Sequence, residues 1–291
     1  MKTTLPLTLT LVTSGALVLS AAEPSVPAFR AVEIDGAVGI GYGLAIADVD
    51  GDGKPDIVLV DKDLVAWYRN PEWTKHVIAR DLTERDHVCI AARDIDGDGK
   101  AEIAVGGQWN PGDTENSGSV HYLMPPEDRS QLWTPIELPK EPTVHRMRWV
   151  RSGPDGYELV VVPLHGRGNR GGQGAGVRIL AYERPADPTQ TWSTRLIDDS
   201  LHITHNFDPV SWADESSEDL LVAGREGIFL FNREGDGWRK TQLGGNDIDG
   251  AGEVRLGRLP GGARFIAAIE PLHGSTVAVY TPPDEGEGLW T

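Results

Sequence analysis

An all-β fold made of repeated small sheets is predicted by three features of the 291-residue sequence. Thirty-five glycines and 20 prolines punctuate short runs of Val, Ile and Leu, the rhythm of strands joined by tight turns. An acidic segment, Ala47-Asp48-Val49-Asp50-Gly51-Asp52-Gly53-Lys54-Pro55-Asp56 with an apolar run behind it, returns at Arg93-Asp94-Ile95-Asp96-Gly97-Asp98-Gly99-Lys100-Ala101-Glu102. Five times an apolar strand ending near an aromatic residue leads through a polar loop to a tryptophan: Trp73, Trp133, Trp192, Trp238 and Trp290. A unit of four short antiparallel strands cannot cover both its faces alone, so neighbouring units must stack around an axis as the blades of a β-propeller.

Taken in chain order, Met1-Lys2, the apolar stretch Leu5 to Leu19 and the small residues Ser20-Ala21-Ala22 predict an export signal over residues 1–22. The chain is then secreted or periplasmic, with a propeller over residues 23–291. Phe29 to Asp35 resembles a blade's fourth strand and is expected to close the ring. Two intact units follow, then degenerate ones at Asp155–Val162, Glu218–Val222 and Ala263–Ala267. The chain stops one residue after Trp290, which predicts a truncated propeller: five blades here, seven when complete, with C-terminal blades or a further domain missing. The tryptophans are expected between blades.

Charge and cysteine content narrow the partners. Forty-four acidic against 27 basic residues give a net charge of −17, which argues against nucleic acid, since phosphate binding requires clustered cations. Beyond the signal no segment has the roughly 20 apolar residues of a membrane span. Cys89 is the one cysteine and has no partner in the chain.

The acidic loops are candidate calcium sites. Asp48, Asp50, Asp52 and Asp56 with the Lys54 carbonyl, and Asp94, Asp96, Asp98 and Glu102 with the Lys100 carbonyl, can turn alternate oxygens toward a hard cation, and the glycines permit the turn. Leu59 and Val105 stand where a helical calcium loop needs its bidentate glutamate, so two loops within a sheet fold are expected. These residues resemble the FG-GAP or VCBS repeat family of seven-bladed propellers. Within it, Trp67-Tyr68-Arg69-Asn70-Pro71, Trp73 and His76-Val77-Ile78 look like the propeller domain family of aldos-2-ulose dehydratases. That resemblance implies calcium in the loops and chemistry on keto sugars, with cupin domains that this chain does not show.

Placed by phase, His87, His145 and His205, with His202 nearby, precede innermost strands, and His165 and His273, each in a Pro-Leu-His-Gly segment, follow second strands. All fall at the end of the ring opposite the acidic loops. Such a cluster can supply a general base or hold zinc or another divalent transition metal through neutral nitrogens. Tyr42, Trp109, Arg146, Arg167, Asn206, Arg225 and Glu253 fall in equivalent loops and can orient a polyhydroxylated ligand. Two readings stand: a carbohydrate lyase working by β-elimination, with His145 and His205 as base or ligands, His87, His165 and His273 as ligands or acid and Tyr42 as proton donor; or a calcium-stabilised module that binds sugar or protein without chemistry. No phosphate loop, serine elbow or zincin segment occurs.

Overall fold

A computed structural model describes residues 27–154, 156–212, 215–245, 250–283 and 288–291; the expected export signal lies outside them. Residues 27–36 belong to a separate small unit and carry no strand, so Phe29 to Asp35 is not the predicted blade strand. Its alternation is carried by few residues, and a strand needs a partner edge as well as a pattern.

From Ala37 onward the described residues form nineteen strands in five antiparallel sheets. The first sheet is β1 (Gly43–Ala47), β2 (Asp56–Val60), β3 (Leu64–Arg69) and β4 (Thr74–Arg80). The second is β5 (Cys89–Arg93), β6 (Glu102–Gly107), β7 (Ser119–Met124) and β8 (Thr134–Leu138), and the third β9 (Val144–Gly153), β10 (Gly156–Pro163), β11 (Ile179–Glu183) and β12 (Ser193–Asp198). The fourth is β13 (Thr204–Val210), β14 (Asp219–Gly224), β15 (Gly227–Glu234) and β16 (Gly237–Gly244). The fifth holds β17 (Glu253–Arg258), β18 (Arg264–Glu270) and β19 (Thr276–Tyr280). Strands pair in sequence order within each sheet, and the first strands of successive sheets lie side by side, β1 by β5, β5 by β9, β9 by β13 and β13 by β17. These are five propeller blades sharing one axis.

Strand alternation builds the core. On β10, Leu159 and Val161 pack toward the second blade with Ala104, Tyr122 and Trp192, while Val160 and Val162 pack toward the fourth with Phe207 and Phe231. On β14, Leu220 and Val222 face the third blade while Leu221 and Ala223 face the fifth. Four such apolar layers join five blades, because successive side chains of a strand point to opposite faces. The same rule leaves Leu44 and Ile46 of β1 each 65% exposed and Val277 and Val279 of β19 68% and 57% exposed, on the first and last blades.

The tryptophans split by role. Trp67, Trp133, Trp149, Trp192 and Trp290 are buried. Trp73 is half-buried and sits before β4 in a turn, with φ of 56° and its amide on Arg69 O at 2.6 Å. Trp290 heads no strand among the described residues, yet its amide donates to Leu243 O of the preceding blade at 2.6 Å, as that of Trp133 does to Ile78 O at 2.8 Å. The backbone tie to the neighbouring blade is the same in both places.

Candidate functional site

The two acidic loops follow β1 and β5 and share one hydrogen-bond plan. Asp48 accepts from Gly51 N at 2.8 Å and Gly53 N at 2.7 Å; Asp94 accepts from Gly97 N at 2.7 Å and Gly99 N at 3.0 Å. Gly51 and Gly53 both stand at φ 80°, and Gly97 and Gly99 at 81° and 83°, a region that strains any side chain. Asp56 accepts from Val49 N at 2.9 Å, as Glu102 does from Ile95 N at 3.2 Å. Carboxylate oxygens of Asp48, Asp50 and Asp56 come within 4.8 Å of one another, and so do those of Asp94, Asp96 and Glu102. Burial, with Asp50 and Asp48 adding repulsion, pushes the Asp56 carboxyl above its usual value, and burial pushes Glu102 up to about 7. Three crowded oxygens in which the buried member resists ionisation fit a hard dication, which relieves both penalties.

Asp52 and Asp98 stand outside these triads, against expectation. Asp52 accepts from Lys54 N at 3.0 Å and Nζ at 2.9 Å, and Asp98 accepts from Lys100 N at 2.8 Å. Each closes a local turn through its own side chain, which competes with turning the oxygen inward. Two arginines that the motif did not reveal complete the loops: Arg69 Nε lies 2.6 Å from Asp50 Oδ2, and Arg129 Nη2 lies 3.4 Å from the buried Glu102 while its Nη1 donates to Ala101 O at 2.6 Å.

At the other end of the inner strands three imidazoles form a row. The His145 and His205 rings are 4.8 Å apart and the His205 and His273 rings 4.5 Å, each pair edge to face, and Trp109 stacks on His145 at 4.9 Å. The row grades from buried His145 and His205 to exposed His273. Burial first, then the Arg146 charge and the neighbouring histidines, hold His145 well below the usual histidine range; burial lowers His205 and His165 too.

Hydrogen bonding fixes the tautomers. His205 Nδ1 is 2.7 Å from Gly252 O, and a carbonyl can only accept, so Nδ1 carries the proton and Nε2 keeps a free lone pair. His145 Nδ1 is 3.2 Å from Arg146 Nη1, which can only donate, so the His145 proton resides on Nε2, a buried atom with no hydrogen-bond partner among the described residues.

These positions match a known family. Residues 117–283, more than half of the chain, match the family described as aldos-2-ulose dehydratase, beta-propeller domain. The chain belongs to that aldos-2-ulose dehydratase propeller family. FG-GAP repeats match over residues 48–105 and 90–123, which contain both acidic loops. A relative, the aldos-2-ulose dehydratase of Phanerodontia chrysosporium, is 26% identical over 265 residues, covering 84% of this chain and 28% of that protein. The chain therefore spans little more than a quarter of that relative's length.

Within this member of the propeller family, the other predicted site residues disperse. His165, whose buried Nδ1 lacks a partner among the described residues, lines a cavity of about 460 Å³ with Asp113, Asn116, Asn169 and Arg170, a volume that suits a small ligand. His87 is fully buried, with its ring beside Gly107 and near His121, and does not join the row: its position along the strand was readable, but not the side to which its ring turns. His202 bonds Glu226 at 3.1 Å. Arg167 reaches Glu115 O at 2.8 Å and Glu141 at 3.7 Å on the exposed rim, and Arg225 reaches Gly171 O at 2.9 Å. Tyr42 lines a central cavity of about 180 Å³ with Arg146, Asn206 and Glu253.

As packed, no three histidine nitrogens among the described residues point at one centre; the two acidic triads are the groups that do. Three zinc bonds near 2.1 Å need three ligand atoms closer together than 4.8 Å, and no three histidine nitrogens among the described residues are. A transition metal here would take further ligands from a bound molecule, and no step is assigned to one.

Proposed function

We propose that the chain is an exported, calcium-stabilised carbohydrate lyase that eliminates water or a glycosidic oxygen from a keto sugar at the His145–His205–His273 row. Membership of the aldos-2-ulose dehydratase propeller family supports a carbohydrate-related role. The observation that carries the chemistry is the free Nε2 lone pair of His205, held in place through Nδ1 by Gly252 O. A neutral imidazole is the right base for a proton next to a carbonyl near neutral pH. In the proposed step His205 Nε2 takes that proton, the C–H electrons form the new C=C bond, and the β C–O bond breaks. His273, at the exposed end of the row, protonates the departing oxygen, so that hydroxide leaves as water. His145, neutral and stacked on Trp109, positions His205.

Calcium at the Asp48–Asp50–Asp56 and Asp94–Asp96–Glu102 triads is structural in this reading, tying the first strand of a blade to its second. The test is direct. Incubated with keto sugars, the full chain should generate an ultraviolet-absorbing enone, and His205→Ala should abolish it while calcium uptake persists. Calcium uptake with no product from any keto sugar would leave the non-catalytic binding module instead.

A further inference from the structure

We propose that the central channel is an oxyanion site, in which Arg146 and Arg148 grip a carboxylate or phosphoryl group carried by the sugar ligand. The 180 Å³ cavity is lined from all five blades: by Leu44 of β1, Ile90 of β5, Arg146 and Arg148 of β9, Asn206 of β13 and Glu253 and Arg255 of β17. Every inner strand contributes to it, and three guanidiniums meet there in a chain of net charge −17.

Their partners decide the argument. Arg255 pairs with Glu253 at 3.1 Å. Arg146 donates to His145 O at 2.8 Å and approaches His145 Nδ1; Arg148 donates to Met147 O at 2.7 Å. Among the described residues neither has a carboxylate at ion-pair distance, although both are half-buried, and most of each guanidinium's five N–H groups stay unengaged. Of the two acids nearby, Glu253 also accepts from Asn206 Nδ2, while Asp208 accepts from Leu256 N at 3.3 Å and acts on Arg148 through its charge without an ion-pair contact.

Several other arginines of this chain have carboxylate partners. Arg93 meets Glu218 at 2.8 Å, Arg195 and Arg233 meet Glu158 at 2.7 and 2.8 Å, and Arg178 meets Glu141. Two partly desolvated guanidiniums whose acceptors are backbone carbonyls and one imidazole nitrogen gain from a bound anion, and the planar fork suits a carboxylate or phosphate bidentately. Burial, together with the Arg255 charge, lowers the pKa of both, the cost that a bound anion would offset. Because Arg146 also touches His145, an anion held here sets a sugar beside the histidine row; this placement, not the anion binding, rests on the lyase reading.

The test compares ligands of one size on the full chain. Glucuronate and glucose 6-phosphate, titrated calorimetrically against glucose, separate the carboxylate from the phosphoryl source. At least one should bind about tenfold or more tightly than glucose, weakening as salt rises from about 0.05 to 0.5 M. Arg146→Gln and Arg148→Gln should each remove that preference. Since Arg148 lies over the Phe207 ring at 6.0 Å, Arg148→Lys serves as the fold-preserving variant, keeping charge but losing the fork, and should give an intermediate affinity. Equal binding of all three sugars to the unaltered chain, or a preference that survives both glutamine variants, would overturn the proposal. Anion binding without turnover would fail the lyase reading alone; turnover of neutral keto sugars with no anion preference would fail this one alone.

Discussion

The two ends of the inner strands are built by opposite means. At one end each acidic loop is a single stretch of about nine residues, its turn set by two glycines and its oxygens by side chains close in sequence. At the other, His145, His205 and His273 come from three different blades, and their spacing exists only once the blades are packed. A site of the first kind depends on local turn chemistry, and one of the second on the rigidity of the whole stack.

That contrast can be broken or sharpened in several ways. The largest effect should come from calcium withdrawal. At calcium a thousandfold above Kd each loop adds about 4 kcal/mol, so chelation should lower the melting temperature by well over ten degrees. Asp56→Ala should remove one site's share, whereas Asp52→Asn should leave calorimetric calcium uptake nearly intact; equal losses would refute the triads. Next, His205→Ala should cut turnover by about 10²–10⁴-fold with little change in melting temperature. If stability falls as far as activity, the row is packing alone. Leu159→Ala, between the second and third blades, should cost about 2–5 kcal/mol in denaturant titrations and loosen the histidine spacing without altering calcium affinity.

A smaller effect concerns pH. His145 and His205 are depressed below 6.5 in the fold, so unfolded chains take up protons first as pH falls. Their contribution is present above 6.5 and lost as pH falls below it, at up to about 1.4 kcal/mol per unit for each histidine. Urea midpoints should show that slope, and His145→Asn should flatten it. The smallest change belongs to the end faces: Leu44→Thr and Val279→Thr should shift stability by about 0.5 kcal/mol or less, because both side chains are already exposed.

Much of this was readable from the chain. The blade count, the strand order and both acidic loops follow from motifs whose meaning is local. Asp52 and Asp98 differ from the triads in a way the sequence does not show, because alternate carboxylates look equivalent in sequence while an Asx turn to Lys54 or Lys100 engages those two. His87 lies away from the row, which phase does not show, because it gives height along a strand and not the direction of a ring. Arg148 and Arg255 had a usable signal, lying two residues after Arg146 and Glu253 and so on the same strand face.

The acidic loops also carry a mechanical linkage. Ala101 N donates to Asp48 O at 2.8 Å, and the aliphatic stem of Lys100 fills the space beside Gly51 that a methyl group would need. The first two blades are thus buttoned together through their acidic turns. A shear between them cannot proceed without wrenching the neighbouring oxygens apart, so whatever tightens one turn also stiffens the seam beside it.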